Sequence, residues 1–182
     1  YLAAALAQHD RYAGPNRRTL VARARALGLA MASHDDATLA HVEEGIEDGV
    51  AIAEFPTTLE AAAAAHDGGL AILMGAPNVV RGKSHSGNIS ATDLVHAGLL
   101  DILSSDYVPY ALLQAAFVLP ERVQGLELPA ALATVTRNPA RAAGLTDRGE
   151  IALGKRADLV RVKVIGGLPM VRGVWRQGQR VS

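Results

Sequence analysis

The chain has 182 residues, 49% of them hydrophobic and only 4% aromatic, which suits one sizeable domain with an aliphatic core and at most a small appendage. Lysine plus arginine and aspartate plus glutamate number 18 each, and this neutral balance gives no electrostatic reason to expect nucleic acid or a membrane as a partner. Because cysteine is absent, disulfides, thiolate nucleophiles and zinc–thiolate sites are excluded, and with no signal peptide or long apolar span we expect a cytoplasmic location.

The first 104 residues predict helices that alternate with short apolar strands. An amphipathic helix over 17–28 comes first. The strands are predicted at 29–33, 50–54, 70–74 and 100–104. Asp36 suits the N-cap of the first intervening helix, Thr57 or Thr58 that of the second, and a short third helix runs to His96. Because the strands are almost continuously apolar, we predict a parallel sheet with both faces covered.

The pattern changes after residue 110. Helices are predicted at 111–119 and 130–137, and from Gly149 onward glycine turns alternate with short β-rich runs. These runs are 150–154, 157–162 and 171–181. The spacing is typical of a small antiparallel module. We therefore divide the chain into an α/β unit over 1–146 and a smaller β unit over 147–182.

Four of the apolar runs lead into polar residues that can carry chemistry: His34, Glu54, Asn78 and Asp106. Parallel α/β folds place their sites at the carboxyl ends of strands. A neutral imidazole such as His34 is a common ligand of zinc, iron or manganese, and Asp35 is a candidate to orient it. Glu54 can bind a metal or transfer protons, and Asp106 can hold a metal and accept the proton of metal-bound water. Each residue also has a structural interpretation, as a loop hydrogen bond, a salt bridge or a turn cap.

The stretch from Gly75 to Ser90 reads as a long polar loop that could recognise an anion. Its candidate substrate-binding residues are Asn78, Arg81, Lys83, His85 and Asn88. Arginine offers a bidentate fork to phosphate and lysine a point charge, while glycine-flanked amides can approach oxygens closely. These features favour a phosphorylated small-molecule substrate, and the alternative is a solvated surface loop. The spacing of a P-loop is absent.

Two groups of motifs resemble a known family. The segment Asn138-Pro139-Ala140-Arg141, followed by Gly149-x-Ile151-Ala152-x-Gly154-x-x-Ala157-Asp158-Leu159-Val160, resembles the C-terminal part of the amidohydrolase superfamily. The strand-end segments around His34, Glu54 and Asp106 are also similar to that superfamily. The resemblance implies the C-terminal half of a (β/α)8 TIM-type barrel, strands 5 to 8, followed by part of a small β-sandwich domain.

The resemblance also implies site roles and a function. His34 matches the metal ligand of barrel strand 5 and Asp106 the aspartate of strand 8, whereas Glu54 stands where the superfamily usually has histidine. The expected cofactor is one or two divalent ions, zinc first, with manganese or iron as alternatives.

Within the superfamily, the barrel segments resemble hydrolases of the carbon–phosphorus lyase route of phosphonate degradation. Those enzymes cleave a ribosyl triphosphate to the 5-phosphate and pyrophosphate. We expect a homo-oligomer, or association with an N-terminal half, and no activity from this chain alone. The alternatives are an amidase or deacetylase acting on a C–N bond, and a non-catalytic subunit.

Overall fold

A parallel sheet of four short strands lies at the centre of the larger part of the chain. The computed structural model describes residues 2–82 and 87–182. The four strands are β1 (Ala32–His34), β2 (Ile52–Glu54), β3 (Ala71–Gly75) and β4 (Ile102–Ser104). They pair in sequence order, with His34 directly beside Glu54 and Gly75 beside Ser104. The predicted parallel sheet is therefore confirmed.

Helices separate the strands and continue after them. In the described ranges they are α1 (Leu2–Ala26), α2 (Leu39–Glu47), α3 (Leu59–Asp67), α4 (Ala76–Arg81), α5 (Ala91–His96), α6 (Ala111–Arg122), α7 (Leu128–Ala133) and α8 (Arg137–Ala142). None of the helices in these ranges combines the length and the hydrophobicity needed to cross a membrane. As expected, Thr58 caps α3, because its hydroxyl accepts a hydrogen bond from the backbone N–H of Ala61.

Three predictions about the local structure are wrong. The first helix begins at Leu2, and Pro15 lies inside it, so it is much longer than residues 17–28. The N-cap of α2 is Thr38, while Asp36 is buried and accepts a hydrogen bond from the Ser33 hydroxyl. The stretch after Gly75 is not a continuous loop, because it begins with helix α4.

Helix α4 follows β3 without a connecting loop. A proline at its start needs no N–H partner, and Gly82 ends it with a left-handed φ of 81°. The guanidinium of Arg122, on α6, donates hydrogen bonds to the carbonyl oxygens of Val79 and Val80. These bonds satisfy carbonyls at the end of the helix and connect α4 to α6.

The hydrophobic core surrounds β2 and β3. Ala53 and Ile72 on these strands are fully buried, as are Leu94 on α5 and Leu119 on α6. Helix α3 turns three buried alanines toward the sheet: Ala61, Ala62 and Ala65. These small side chains let the helix approach the strands closely, which is consistent with the aliphatic, low-aromatic composition.

Replacing Ile72 with alanine is expected to lower the free energy of unfolding by about 2–5 kcal/mol, because it opens a cavity on the central strand. Denaturant unfolding measures this change. The matched control is Ile151→Ala, since that isoleucine is 88% exposed and its truncation should change stability by less than about 0.5 kcal/mol. Equal effects of the two substitutions would contradict this description of the core.

The C-terminal part forms an antiparallel sheet, as predicted. Its strands are β5 (Leu159–Ile165), β6 (Leu168–Arg176) and β7 (Gln179–Arg180), whereas the expected run at 150–154 forms no strand. Asp158 supports the turn between β6 and β7, where Gln177 has a left-handed φ of 52°. The Gln177 N–H, 2.9 Å from the Asp158 carboxylate, and the nearby Arg156 guanidinium hold the pKa of that carboxyl below its usual value.

Candidate active site

The candidate residues lie along the carboxyl edge of the parallel sheet. His34 and Glu54 are the last residues of β1 and β2, and Asp106 follows β4 by two residues. The side chains of His34 and Glu54 are 59% and 34% exposed, and Asp106 is exposed as well. Donor groups of three strands therefore face solvent at one edge, where parallel α/β folds bind their ligands.

The backbone at this edge is strained. Asp35, Phe55 and Asp106 have left-handed φ values of 58°, 53° and 51°, and they are three of the four non-glycine residues with positive φ in the described ranges. A left-handed conformation costs an L-residue about 1–2 kcal/mol, and phenylalanine tolerates it less readily than aspartate. Strain of this kind persists where the surrounding structure fixes it, and it clusters at functional sites.

The loops after β1 and β2 have the same construction. In each, the residue after the strand is left-handed and a threonine four residues beyond the strand caps the next helix. The loops also bind each other: Thr57 N–H donates to the carbonyl of Asp36 at 2.9 Å, and the Thr58 hydroxyl donates to that of Ala37 at 3.1 Å. Thr38 and Thr58 each lie four residues after a strand, and this equal spacing was the sequence signal for the common loop construction. The signal was not recognised in the sequence.

His34 and Glu54 are in direct contact. Nδ1 of the imidazole lies 3.0 Å from Oε2 of Glu54, while Nε2 lies 3.6 Å from a carboxylate oxygen of Asp35. Phe55 presents its ring edge-on to the imidazole, with the ring centroids 5.4 Å apart. Glu54, on β2, therefore contacts one nitrogen of the imidazole, and His34 also lines a groove of about 940 Å³ between α1 and β1.

Asp106 lies at the same carboxyl edge but next to the opposite outer strand, β4, and it packs against Gly75. A Cβ atom placed on Gly75 would come within 2.9 Å of Oδ2 of Asp106, so the carboxylate occupies the space that a side chain would take. Strands β2 and β3 lie between β1, which carries His34, and β4, which precedes Asp106. Three interstrand spacings separate β1 from β4, a distance of about 14 Å across the sheet.

Zinc sites use three or four protein ligands. Across residues 2–82 and 87–182, no three His, Asp or Glu side chains gather as a metal site would require. The donor types suit a divalent metal, but the described residues do not complete a site by themselves. The ligand roles of His34, Glu54 and Asp106 therefore stay predictions.

Only some of the residues predicted to bind phosphate lie near this edge of the sheet. Arg81, at the end of α4, stacks its guanidinium 5.4 Å from the ring centre of Tyr107, next to Asp106. Asn78 uses its side-chain oxygen to accept a hydrogen bond from the N–H of Ala91, and Asn88 is exposed. Lys83 and His85 lie outside the described residues. Arg81 is thus the predicted phosphate ligand whose side chain contacts the residue next to Asp106.

The parallel sheet, with polar residues at the carboxyl ends of its strands, defines part of an α/β barrel of hydrolase type, and a family model agrees. The chain belongs to the amidohydrolase family, whose model matches residues 3–181. It is 54% identical, over 97% of its length, to α-D-ribose 1-methylphosphonate 5-triphosphate diphosphatase from Escherichia coli K12. The chain spans 47% of that relative, so about half of the relative has no counterpart in it.

Solved structures show the same fold at low identity. Ochratoxinase from A. niger aligns with 90% of this chain and 44% of its own, at a TM-score of 0.64 and 16% identity. A 5-methylcytosine deaminase from Klebsiella pneumoniae aligns with 92% of this chain and 51% of its own, at a TM-score of 0.63 and 19% identity. These likenesses confirm the expected fold, a partial amidohydrolase barrel.

Proposed function

We propose that this chain supplies the C-terminal part of an enzyme that hydrolyses α-D-ribose 1-methylphosphonate 5-triphosphate to the 5-phosphate and pyrophosphate. The observation that carries the proposal is the 54% identity with the E. coli diphosphatase over 97% of the chain. The exposed row of imidazole and carboxylate groups at the sheet edge supports it, because hydrolysis needs groups that bind an electrophile and move protons.

In this proposal His34 and Asp106 are metal ligands, joined by donors from outside the described residues. A bound divalent ion would neutralise phosphate charge and lower the pKa of a coordinated water. Asp106 accepts a proton from the attacking water. The water oxygen bonds to one of the two phosphorus atoms beside the cleaved bridge, and the bridging oxygen leaves with the other. Asp106 suits this role because its carboxylate is exposed and held against Gly75.

Arg81 is proposed to bind the polyphosphate. Its guanidinium is already held over the Tyr107 ring, so less side-chain entropy is lost when phosphate binds. Removing a hydrogen bond to a charged group costs about 1.5–3 kcal/mol, so Arg81→Ala should raise KM about 10- to 100-fold and change kcat less. Steady-state kinetics measure both. The control is Arg11→Ala, an exposed arginine on α1. A fall in kcat with unchanged KM would contradict the binding role.

Pyrophosphate release by the complete enzyme tests the proposed reaction. The assay supplies the ribosyl triphosphate and a divalent metal and follows pyrophosphate and the 5-phosphate, which should appear in equal amounts. Release of single phosphates, or no release, would overturn the proposal. A panel of amides, run in parallel, tests hydrolysis of a C–N bond, and inactivity on both substrate classes together with absence of bound metal would favour a non-catalytic subunit.

A further inference from the structure

We infer that Glu54 is a positioning residue, which holds the imidazole of His34 in its Nδ1–H tautomer and thereby presents the Nε2 lone pair to the site. The inference deepens the proposed function, on which the metal-binding role of His34 rests. Its basis is the 3.0 Å contact between Nδ1 of His34 and Oε2 of Glu54, made by two directly paired residues of β1 and β2.

The chemistry of the contact assigns the proton. An ionised carboxylate can only accept hydrogen bonds, so a hydrogen bond at this distance requires a hydrogen on Nδ1. A neutral imidazole carries one N–H, and its second nitrogen then has a free lone pair. Nε2 is 3.6 Å from Asp35, too far for a hydrogen bond, so no competing contact with Asp35 fixes the opposite tautomer.

The surroundings hold both partners in place. The loops that carry Asp35 and Phe55 are hydrogen-bonded to each other, and the backbone N–H of Asp35 also donates to the carbonyl of Glu54 at 3.0 Å. Phe55 stands edge-on to the imidazole, and Glu54 is the less exposed member of the pair. The backbone on both sides of the pair is thus fixed, and the imidazole takes its orientation from the less exposed carboxylate.

This role differs from the one that the sequence predicted for Glu54. As a metal ligand, Glu54 would direct a carboxylate oxygen at the ion, whereas the contact seen here is between Oε2 and Nδ1 of His34 on the neighbouring strand. A carboxylate that orients a ligating histidine typically changes metal affinity or activity 10- to 100-fold when it is removed. The two roles predict different results for a glutamine substitution, since the glutamine amide oxygen still accepts a hydrogen bond from Nδ1–H.

Nitrogen NMR of the complete enzyme without metal tests the tautomer directly. Histidine is labelled with ¹⁵N, the signals are recorded near pH 8, about 1.5 units above the usual histidine pKa, and His34→Gln identifies the His34 resonances. We expect a protonated Nδ1 and an unprotonated Nε2 in the wild type and in Glu54→Gln. Glu54→Ala should return His34 toward the Nε2–H form, which predominates for free histidine in water. A wild-type His34 protonated on Nε2 would overturn the inference.

Kinetics and metal binding separate positioning from ligation. Glu54→Ala is expected to lower kcat/KM about 10- to 100-fold, and Glu54→Gln should recover at least several-fold of that loss. If both variants lose metal affinity equally, Glu54 is a ligand and the inference is wrong. Glu60→Ala, an exposed glutamate in the first turn of α3, is the control. Because the NMR result requires no turnover, an enzyme that failed to release pyrophosphate would contradict the proposed function without contradicting the tautomer.

Discussion

Replacing Asp106 with asparagine is expected to lower kcat for pyrophosphate release by about 100- to 10,000-fold, the range that a positioned proton acceptor usually contributes. Asparagine has nearly the same shape as aspartate, and it also tolerates the left-handed backbone found at this position, where φ is 51°. The fold should therefore survive, with the free energy of unfolding changed by less than about 1 kcal/mol. Steady-state kinetics and denaturant unfolding on the complete enzyme measure the two quantities.

The matched control is Asp67→Asn at the end of α3. That carboxylate is 86% exposed and belongs to the last residue of its helix, so its loss should leave both turnover and stability unchanged. If Asp106→Asn kept turnover within about threefold of the wild type, Asp106 would have no part in the chemistry.

Replacing Gly75 with alanine is expected to reduce kcat about 100-fold without unfolding the protein. The added methyl would lie 2.9 Å from Oδ2 and 3.3 Å from Cβ of Asp106, so the aspartate must move. The backbone itself accepts alanine, because φ at Gly75 is −74°. Displacing a reacting group by about 1 Å can cost a factor of 100 in rate. Turnover of the complete enzyme and its unfolding midpoint check the prediction.

Gly45→Ala is the matched control for that substitution. Its methyl would lie 3.9 Å from Val50, an ordinary contact, and alanine inside α2 should raise the free energy of unfolding by about 0.5–1 kcal/mol. If Gly75→Ala acts through Asp106, it should reduce kcat little further in an Asp106→Asn background, because the two changes affect one interaction. Full additivity of the two losses would contradict the coupling.

The sheet was predictable because its sequence signals are local. Each strand is a short apolar run between turn residues, and burial on both faces of a parallel sheet favours such runs. The threonine before Leu59 was also a reliable helix start, since a hydroxyl in that position accepts a hydrogen bond from a helix N–H. The ends of the strands, and with them the candidate site residues, could therefore be located from the sequence.

Other features depend on contacts that the sequence does not show. Helix α4 was missed because its polar residues suggested a loop, although Pro77 near its start and Gly82 at its end were usable signals. The contact between Gly75 and Asp106 joins residues about 30 positions apart and appears only in three dimensions. The left-handed Phe55 could not be expected, because bulky residues rarely adopt that conformation.

In the loops after β1 and β2, the residues that determine the backbone conformation differ from the residue that carries the chemical group. The turn is built by the residues that follow each strand, whereas the functional group sits one position earlier, as an imidazole in one loop and a carboxylate in the other. Exchanging that single residue would alter which ions and substrates the edge attracts while leaving the loop hydrogen bonds intact. Such interchangeable positions offer a route by which one scaffold can acquire new reactions through point substitutions, without any need to refold its loops.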